Sequence, residues 1–241
     1  MTELAALIFD FDGTIADSES LHLAAFQRTL SEGLGLALTA GEYAERYLAF
    51  DDRKMLETFL GDRGVEVAPE RFERLLAAKA ARYQALAEDL PLLPGATEMI
   101  RAAARRWPLA VASGALEREV RPVLERAGLA GCFAAVVTAE MVSRGKPDPE
   151  VFRGALEGIN RRGAAGAGPP GRPIPPGACL VVEDAVAGVA AARAAGMRVL
   201  AVTTSYPRER LAEADRVVDS LEETADVEAL AAWFAGLPPR G

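Results

Sequence analysis

Two aspartates stand directly after an apolar run near the start of the chain. The run extends from Leu4 to Phe9, and Asp10 and Asp12 follow it with one residue between them. In extended backbone, residues i and i+2 point to the same side, so both carboxylates can face one reactant, and Gly13 then lets the chain turn away. Such carboxylates repel each other unless a cation lies between them or one is protonated. This favours a reactive site; the alternative is a pair of solvated loop aspartates that cap the next helix.

A second acidic pair follows another apolar run. Glu183 ends a run that begins at Cys179, and Asp184 comes next. Taken alone, Asp184 is typical of an N-cap for a helix that begins near Ala185. Together with the first aspartate pair, it predicts an oxygen-rich cluster, which is the ligand set that Mg²⁺ prefers, with waters and a substrate phosphate completing the octahedron.

The elements that must position these acids are short, nearly continuous apolar runs, typical of strands buried on both faces of a parallel sheet. They are Leu4 to Phe9, Leu109 to Ser113, Ala135 to Thr138, Cys179 to Glu183 and Val199 to Thr203. Amphipathic segments at 117–127 and 185–195 lie between the later runs and predict crossover helices, the first of which Pro122 should interrupt unless it lies in the opening turn. The alternation indicates an α/β fold with a doubly wound, Rossmann-like parallel sheet.

Residues 18–91 break this alternation. They contain apolar residues at three- and four-residue spacing, which predicts helices over 19–34, 40–50, 52–60 and 69–88. We therefore expect a core domain of residues 1–17 and 92–241 with an inserted helical cap domain of residues 18–91. Asp17 and Ser18 are candidate hinge residues, and two chain connections imply a lid that opens and closes over the carboxyl edge of the sheet.

Composition excludes several classes of function. The chain has 241 residues, one histidine, two cysteines and a net charge of −8. The negative net charge argues against a nucleic-acid groove, and a single histidine argues against a histidine-rich zinc site. The cysteines, Cys132 and Cys179, are expected to be buried, reduced thiols. No signal peptide or membrane span is apparent, so we expect a cytoplasmic protein, a monomer or weak homodimer, without a membrane partner. The Gly/Pro-rich stretch 163–177 is expected to be an irregular surface loop.

Four motifs, in order along the chain, resemble those of the haloacid dehalogenase-like hydrolases. They are Asp10-Phe11-Asp12-Gly13-Thr14, Ser113 after the strand ending Val111-Ala112, Lys146 in Lys146-Pro147-Asp148-Pro149, and Glu183-Asp184. The resemblance covers Leu4 to about Val218. The inserted helical segment resembles the cap of the branch that holds phosphoglycolate phosphatase and β-phosphoglucomutase.

The resemblance implies a role for each motif residue. Asp10 would attack phosphorus and form an aspartyl-phosphate, and Asp12 would protonate the leaving oxygen and later activate water. Ser113 and the amide of Gly114 would bind the phosphoryl oxygens, and Lys146 would neutralise charge. The implied cofactor is Mg²⁺, held by Asp10, the backbone carbonyl of Asp12, and Asp184, with Glu183 binding directly or through water.

The second aspartate of the first motif distinguishes two chemistries within this superfamily. The dehalogenases lack it, because a halide leaving group needs no proton, and Asp12 is present here. We therefore expect a Mg²⁺-dependent phosphatase that acts on a small phosphate ester, with a sugar phosphate as the favoured substrate. A phosphohexose mutase resembling β-phosphoglucomutase is the alternative. A phosphate-binding or regulatory protein without catalysis is a more remote one.

Three cap residues are candidates for substrate binding. Arg53 lies where related caps place an arginine that grips a second phosphate, and bidentate contact suits that task; an ordinary exposed arginine is the alternative. His22 and Lys79 resemble positions that β-phosphoglucomutase uses to couple cap closure to its acid/base aspartate. A lone histidine in an amphipathic segment is more often a surface or interface residue, which is the alternative for His22.

Overall fold

A computed structural model describes residues 2–48, 50, 52–87, 90–164 and 173–238. The strands are β1 (Ala6–Phe9), β2 (Leu109–Ala112), β3 (Phe133–Val137), β4 (Cys179–Glu183), β5 (Arg198–Val202) and β6 (Arg216–Val218). The helices are α1 (Ser18–Leu34), α2 (Ala40–Arg46), α3 (Asp52–Asp62), α4 (Pro69–Ala87), α5 (Ala96–Ala104), α6 (Glu117–Arg126), α7 (Glu150–Arg162), α8 (Val186–Ala194) and α9 (Val227–Ala235). Most of the Gly/Pro-rich stretch, residues 165–172, lies outside the described ranges.

The six strands form one parallel sheet in the order β3-β2-β1-β4-β5-β6. The residues of β1, β2, β4 and β5 are all buried, because apolar side chains on both faces pack against helices. The expected doubly wound α/β fold is confirmed. Because β1 and β4 are neighbours at the centre, the residues that follow them emerge side by side at the carboxyl edge.

The chain is divided into two compact units. One contains residues 1–16 and 92–241, and the other contains residues 17–91. The second unit contains α1 to α4, and it has a separate core that includes Phe26, Tyr47 and Phe59. At its boundary, the amide of Asp17 donates to the carbonyl of Pro91 at 3.0 Å. No helix within the described ranges is both long enough and apolar enough to span a membrane.

Several local predictions need correction. Strand β6 was not predicted, because it has only three residues and begins with an arginine, and β3 begins two residues before the predicted start. Helix α2 ends at Arg46, short of the predicted residue 50. Cys179 is buried as expected, but Cys132 is partly exposed.

Pro122 does not interrupt α6, although it lies beyond the opening turn of this helix. Proline lacks the amide that would bond one turn back, which weakens a helix. The helix continues because Val120, Val123 and Leu124 are buried against the core unit. Tertiary packing therefore outweighs the loss of one backbone hydrogen bond.

Candidate active site

The central strands bring two of the predicted acids together. In the parallel pair of β1 and β4, Phe9 is in register with Val182, and the amide of Asp10 donates to the Val182 carbonyl at 2.9 Å. Asp10 and Glu183 therefore leave the sheet side by side at its carboxyl edge. Neither aspartate of the first motif caps α1, because Asp17 fills that position and accepts the amide of Ser20.

Lys146 joins these two acids. It lies in the loop before α7, and its Nζ donates to Asp10 Oδ1 at 2.5 Å and to Glu183 Oε1 at 2.7 Å. Burial alone would lower the pKa of Lys146, but the negative charges of Asp10 and Glu183 raise it above its ordinary value. The lysine is therefore a fixed positive charge beside Asp10.

Asp10, Glu183 and Asp184 form a buried carboxylate cluster in which one oxygen of each lies within 4.8 Å of the others. Burial and the charges of Glu183 and Asp12 raise the pKa of Asp10 to about 7, against the opposing effect of Lys146. Burial and the charges of Glu183 and Asp10 also raise the pKa of Asp184. The three acids carry one charge each when ionised, and among the described residues the ammonium group of Lys146 alone is hydrogen-bonded to them, so the cluster suits a divalent cation with hard oxygen ligands.

Glu183 also organises the backbone that follows it. Its Oε2 accepts the amides of Asp184 at 2.8 Å and Ala185 at 2.7 Å, while its Oε1 accepts Lys146. Gly188 leaves room for this carboxylate, since a Cβ at that position would overlap it. Glu183 therefore fixes both the lysine and the turn that carries Asp184.

Asp184 is not the N-cap of α8, which was one of the interpretations of its position. Ala185 takes that place without a side-chain hydrogen bond. The Asp184 carboxylate instead accepts hydrogen bonds from Thr14 Oγ1 at 3.4 Å and from Ser205 Oγ. The sequence alone does not indicate a role for either of these two hydroxyls. The signal that could have found Ser205 is the run Thr203-Thr204-Ser205, polar residues that directly follow β5.

Asp12 lies beside the cluster rather than within it. Its side chain is partly exposed, and its charge contributes to the raised pKa of Asp10. The carboxylates that come together among the described residues are those of Asp10, Glu183 and Asp184. The expected contribution of Asp12 to a metal is its backbone oxygen, and this stays a prediction.

A cavity of about 220 Å³ opens next to Lys146. Ser113 and Gly114, which follow β2, line it, and so does Ser143. Ser113 is buried, and its Oγ accepts the amide of Ala115 at 2.9 Å. The space in front of Gly114 is open. A small anion in this cavity would be surrounded by a lining that includes both Lys146 and Ser113.

The three candidate residues of the helical unit have partners inside that unit. Arg53 Nη2 donates to both carboxylate oxygens of Glu73, at 2.7 and 3.0 Å. Lys79 is almost fully buried, and its Nζ contacts Asp52 Oδ1 at 2.5 Å and His22 Nδ1 at 2.6 Å. His22 and Lys79, 57 residues apart in sequence, are thus in direct contact.

The sequence also matches a known family. A model of the haloacid dehalogenase-like hydrolases matches residues 4–196. The chain belongs to this family. Hexitol phosphatase A of Escherichia coli is 36% identical over 90% of this chain and 91% of its own length. The protein CbbY of Rhodobacter capsulatus is 32% identical over 86% of this chain and 88% of its own length.

A solved structure similar to this chain contains a sugar bisphosphate. The crystal structure of a CbbY variant from Rhodobacter sphaeroides, in complex with xylulose-(1,5)bisphosphate, has a TM-score of 0.69 and 30% identity, and the match covers 92% of this chain and 96% of that one. The expected resemblance and α/β fold are thus confirmed. The family and the phosphatase among the relatives support the expected class of enzyme, a phosphoric monoester hydrolase.

Proposed function

We propose that this hydrolase is a Mg²⁺-dependent phosphatase that removes phosphate from a small phosphorylated sugar or sugar alcohol through an aspartyl-phosphate on Asp10. The observation that carries the proposal is the buried cluster of Asp10, Glu183 and Asp184 with Lys146 in contact with two of its members. A solvated loop aspartate would not be buried as Asp10 is, and would not share a lysine with a second acid as Asp10 does with Glu183.

The donor set fits the implied metal. Asp10, Asp184 and the backbone carbonyl of Asp12 would hold Mg²⁺, and Glu183, which already accepts protein donors at both oxygens, would act directly or through water. When bound, Mg²⁺ would offset the charge of the acids and polarise a phosphoryl oxygen of the substrate.

In the first half of the proposed reaction, a carboxylate oxygen of Asp10 attacks phosphorus, and the bond between phosphorus and the ester oxygen breaks. Asp12 gives its proton to the leaving alkoxide, which departs as an alcohol. Lys146 stabilises the negative charge on the transferring group, and Ser113 with the amide of Gly114 binds its oxygens.

In the second half, Asp12 accepts a proton from a water molecule as that water attacks the phosphorus of the aspartyl-phosphate. The bond between phosphorus and the Asp10 oxygen breaks, so that inorganic phosphate leaves and the Asp10 carboxylate is restored. Asp12 ends this step protonated, ready for the next substrate.

The substrate class is supported by the relatives. One is a hexitol phosphatase, and the CbbY structure contains a pentulose bisphosphate. We propose that the helical unit of residues 17–91 acts as a cap that selects the sugar. Arg53 would grip a second phosphate only after it leaves Glu73, with which it is paired in this structure.

A panel of phosphorylated sugars and sugar alcohols tests the proposal. With Mg²⁺, at least one should release inorganic phosphate, and excess chelator should abolish the release. Asp10→Asn should remove the activity without unfolding the protein. Asp226→Asn is a matched control, because asparagine caps a helix as well as the aspartate that caps α9. Activity undiminished by chelator, or surviving in Asp10→Asn, would refute the mechanism.

A phosphohexose mutase is the second candidate, and the contact between His22 and Lys79 favours it. These residues resemble the positions through which β-phosphoglucomutase couples cap closure to its acid/base aspartate. In a mutase, the phosphoryl group on Asp10 would pass to another sugar hydroxyl instead of water. Isomerisation of β-glucose 1-phosphate that a bisphosphate stimulates, without phosphate release, would establish it. Inactivity in both assays would favour a phosphate-binding protein.

A further inference from the structure

One acidic side chain of the cluster is held by a loop outside the four motifs. The loop is Thr203–Ser205, directly after β5, and Ser205 Oγ donates a hydrogen bond to Asp184 Oδ2. Thr14 Oγ1 donates to the other oxygen, Asp184 Oδ1, at 3.4 Å. Both oxygens of this carboxylate thus have hydroxyl donors, and the donors come from two different parts of the core unit. A carboxylate held at both oxygens cannot rotate about its last bond without losing one of these contacts.

The loop is itself fixed to the first motif. Thr204 Oγ1 donates to the backbone carbonyl of Gly13. Gly13 has a φ of +69°, and a Cβ there would overlap the Asp184 carboxylate and Ser205 Oγ, so the two segments pack without a side chain between them. Thr203, by contrast, turns away and donates to Asp219 at 3.0 Å. Ser205 therefore contacts the acid cluster, Thr204 fixes the loop to the first motif, and Thr203 does neither.

We propose that Ser205 is a positioning residue that fixes the orientation of Asp184 and thereby favours Mg²⁺ over Ca²⁺. The proposal rests on the proposed role of Asp184 as a metal ligand. Mg²⁺ demands near-ideal octahedral geometry, whereas Ca²⁺ accepts longer, more variable and bidentate carboxylate contacts. Freedom of the carboxylate to rotate should therefore weaken the binding of Mg²⁺ more than the binding of Ca²⁺.

Direct metal binding tests this without relying on turnover. Mn²⁺, another hard cation that prefers oxygen ligands, is titrated by the EPR signal of its free ion, and Mg²⁺ and Ca²⁺ are then used to displace it. Ser205→Ala should raise the Kd for Mg²⁺ about 10–100-fold, the usual effect of removing a residue that orients a ligand, and should raise the Kd for Ca²⁺ less. Ser205→Thr, which keeps the hydroxyl, should restore Mg²⁺ binding. Thr203→Val, which removes the hydroxyl that faces away, should bind both ions as the unmodified protein does.

The controls separate this inference from the proposed function. If the unmodified protein binds none of these cations, both fail. A second outcome is that the unmodified protein binds the cations and that Asp184→Asn abolishes this binding. If Ser205→Ala then binds them as the unmodified protein does, only the role of Ser205 is refuted. Equal weakening in Ser205→Ala and Thr203→Val would also refute it, because the loop would then matter only for folding. Should Ser205→Ala fail to fold, Thr14→Val tests the same orientation, with a smaller effect because its hydrogen bond is longer.

Discussion

Replacing Lys146 with methionine isolates the role of the ammonium group that contacts the acid cluster in the described part of the chain. The variant keeps the length of the side chain and leaves Asp10 and Glu183 buried without their shared donor. Arg118→Met is the control, since Arg118 is an exposed cation of α6 in the same core unit as Lys146. We expect the control to change the free energy of unfolding by less than about 0.5 kcal/mol.

The magnitude follows from the two contacts. At 2.5 and 2.7 Å, the Coulomb attraction of each contact is about 6–7 kcal/mol at an effective dielectric constant of about 20. Most of this is offset by the cost of burying the charges. Removing one partner of a buried ion pair nevertheless costs about 3–5 kcal/mol, because the other charge stays buried and unpaired. Protonation of Asp10, whose pKa is already raised to about 7, limits the loss.

Urea unfolding followed by tryptophan fluorescence measures this loss in the appropriate unit, because both tryptophans, Trp107 and Trp233, lie in the α/β core unit. In chelator, Lys146→Met should lose about 3–5 kcal/mol. Saturating Mg²⁺ should reduce the difference, because the more negative site binds a cation more tightly and gains more from it. A loss below about 1 kcal/mol in chelator, or one that Mg²⁺ leaves unchanged, would refute our interpretation of the cluster as a cation site.

Two further predictions concern Gly188 and Cys179. Gly188→Ala should displace the Glu183 carboxylate and lower phosphatase activity at least about 10-fold. The control is Gly41→Ala in α2, where a Cβ meets only open space; it should leave the activity unchanged and stabilise the helix. Equal activity in the two variants would contradict this prediction. Burial raises the pKa of the Cys179 thiol to about 12, so an alkylating reagent should modify it roughly a thousand times more slowly than an ordinary thiol until the protein unfolds. Labelling of Cys132→Ser, which leaves only Cys179, measures this rate, and rapid modification of the native variant would show that the thiol is accessible.

The sequence predicts the centre of the sheet better than its edge. Strands β1 and β4 are continuous apolar runs because both of their faces are covered, and that pattern is visible without a structure. Strand β6 forms an edge and has only three residues, Arg216–Val218, of which the first two are only partly buried, so its composition carries no comparable signal. The continuation of α6 through Pro122 depends on packing, which local preferences do not contain.

The acids of the candidate site were predictable for a topological reason. Parallel strands end at one edge of the sheet, so Asp10 and Glu183 must approach each other once β1 and β4 are neighbours. The hydroxyl of Ser205 was not predictable, because its contact with Asp184 depends on how the loop after β5 folds back on the first motif. Likewise, the pairing of Arg53 with Glu73 depends on how α3 packs against α4.

Trapping the phosphorylated enzyme tests the central claim most directly. The protein is mixed with Mg²⁺ and a substrate found in the panel, quenched in acid during turnover, digested with pepsin and analysed by mass spectrometry. We predict a phosphoryl group on Asp10, lost within the turnover time when substrate is exhausted and absent from Asp10→Asn. Phosphate release without any phosphorylated peptide, or with the phosphoryl group on a different residue, would contradict the account.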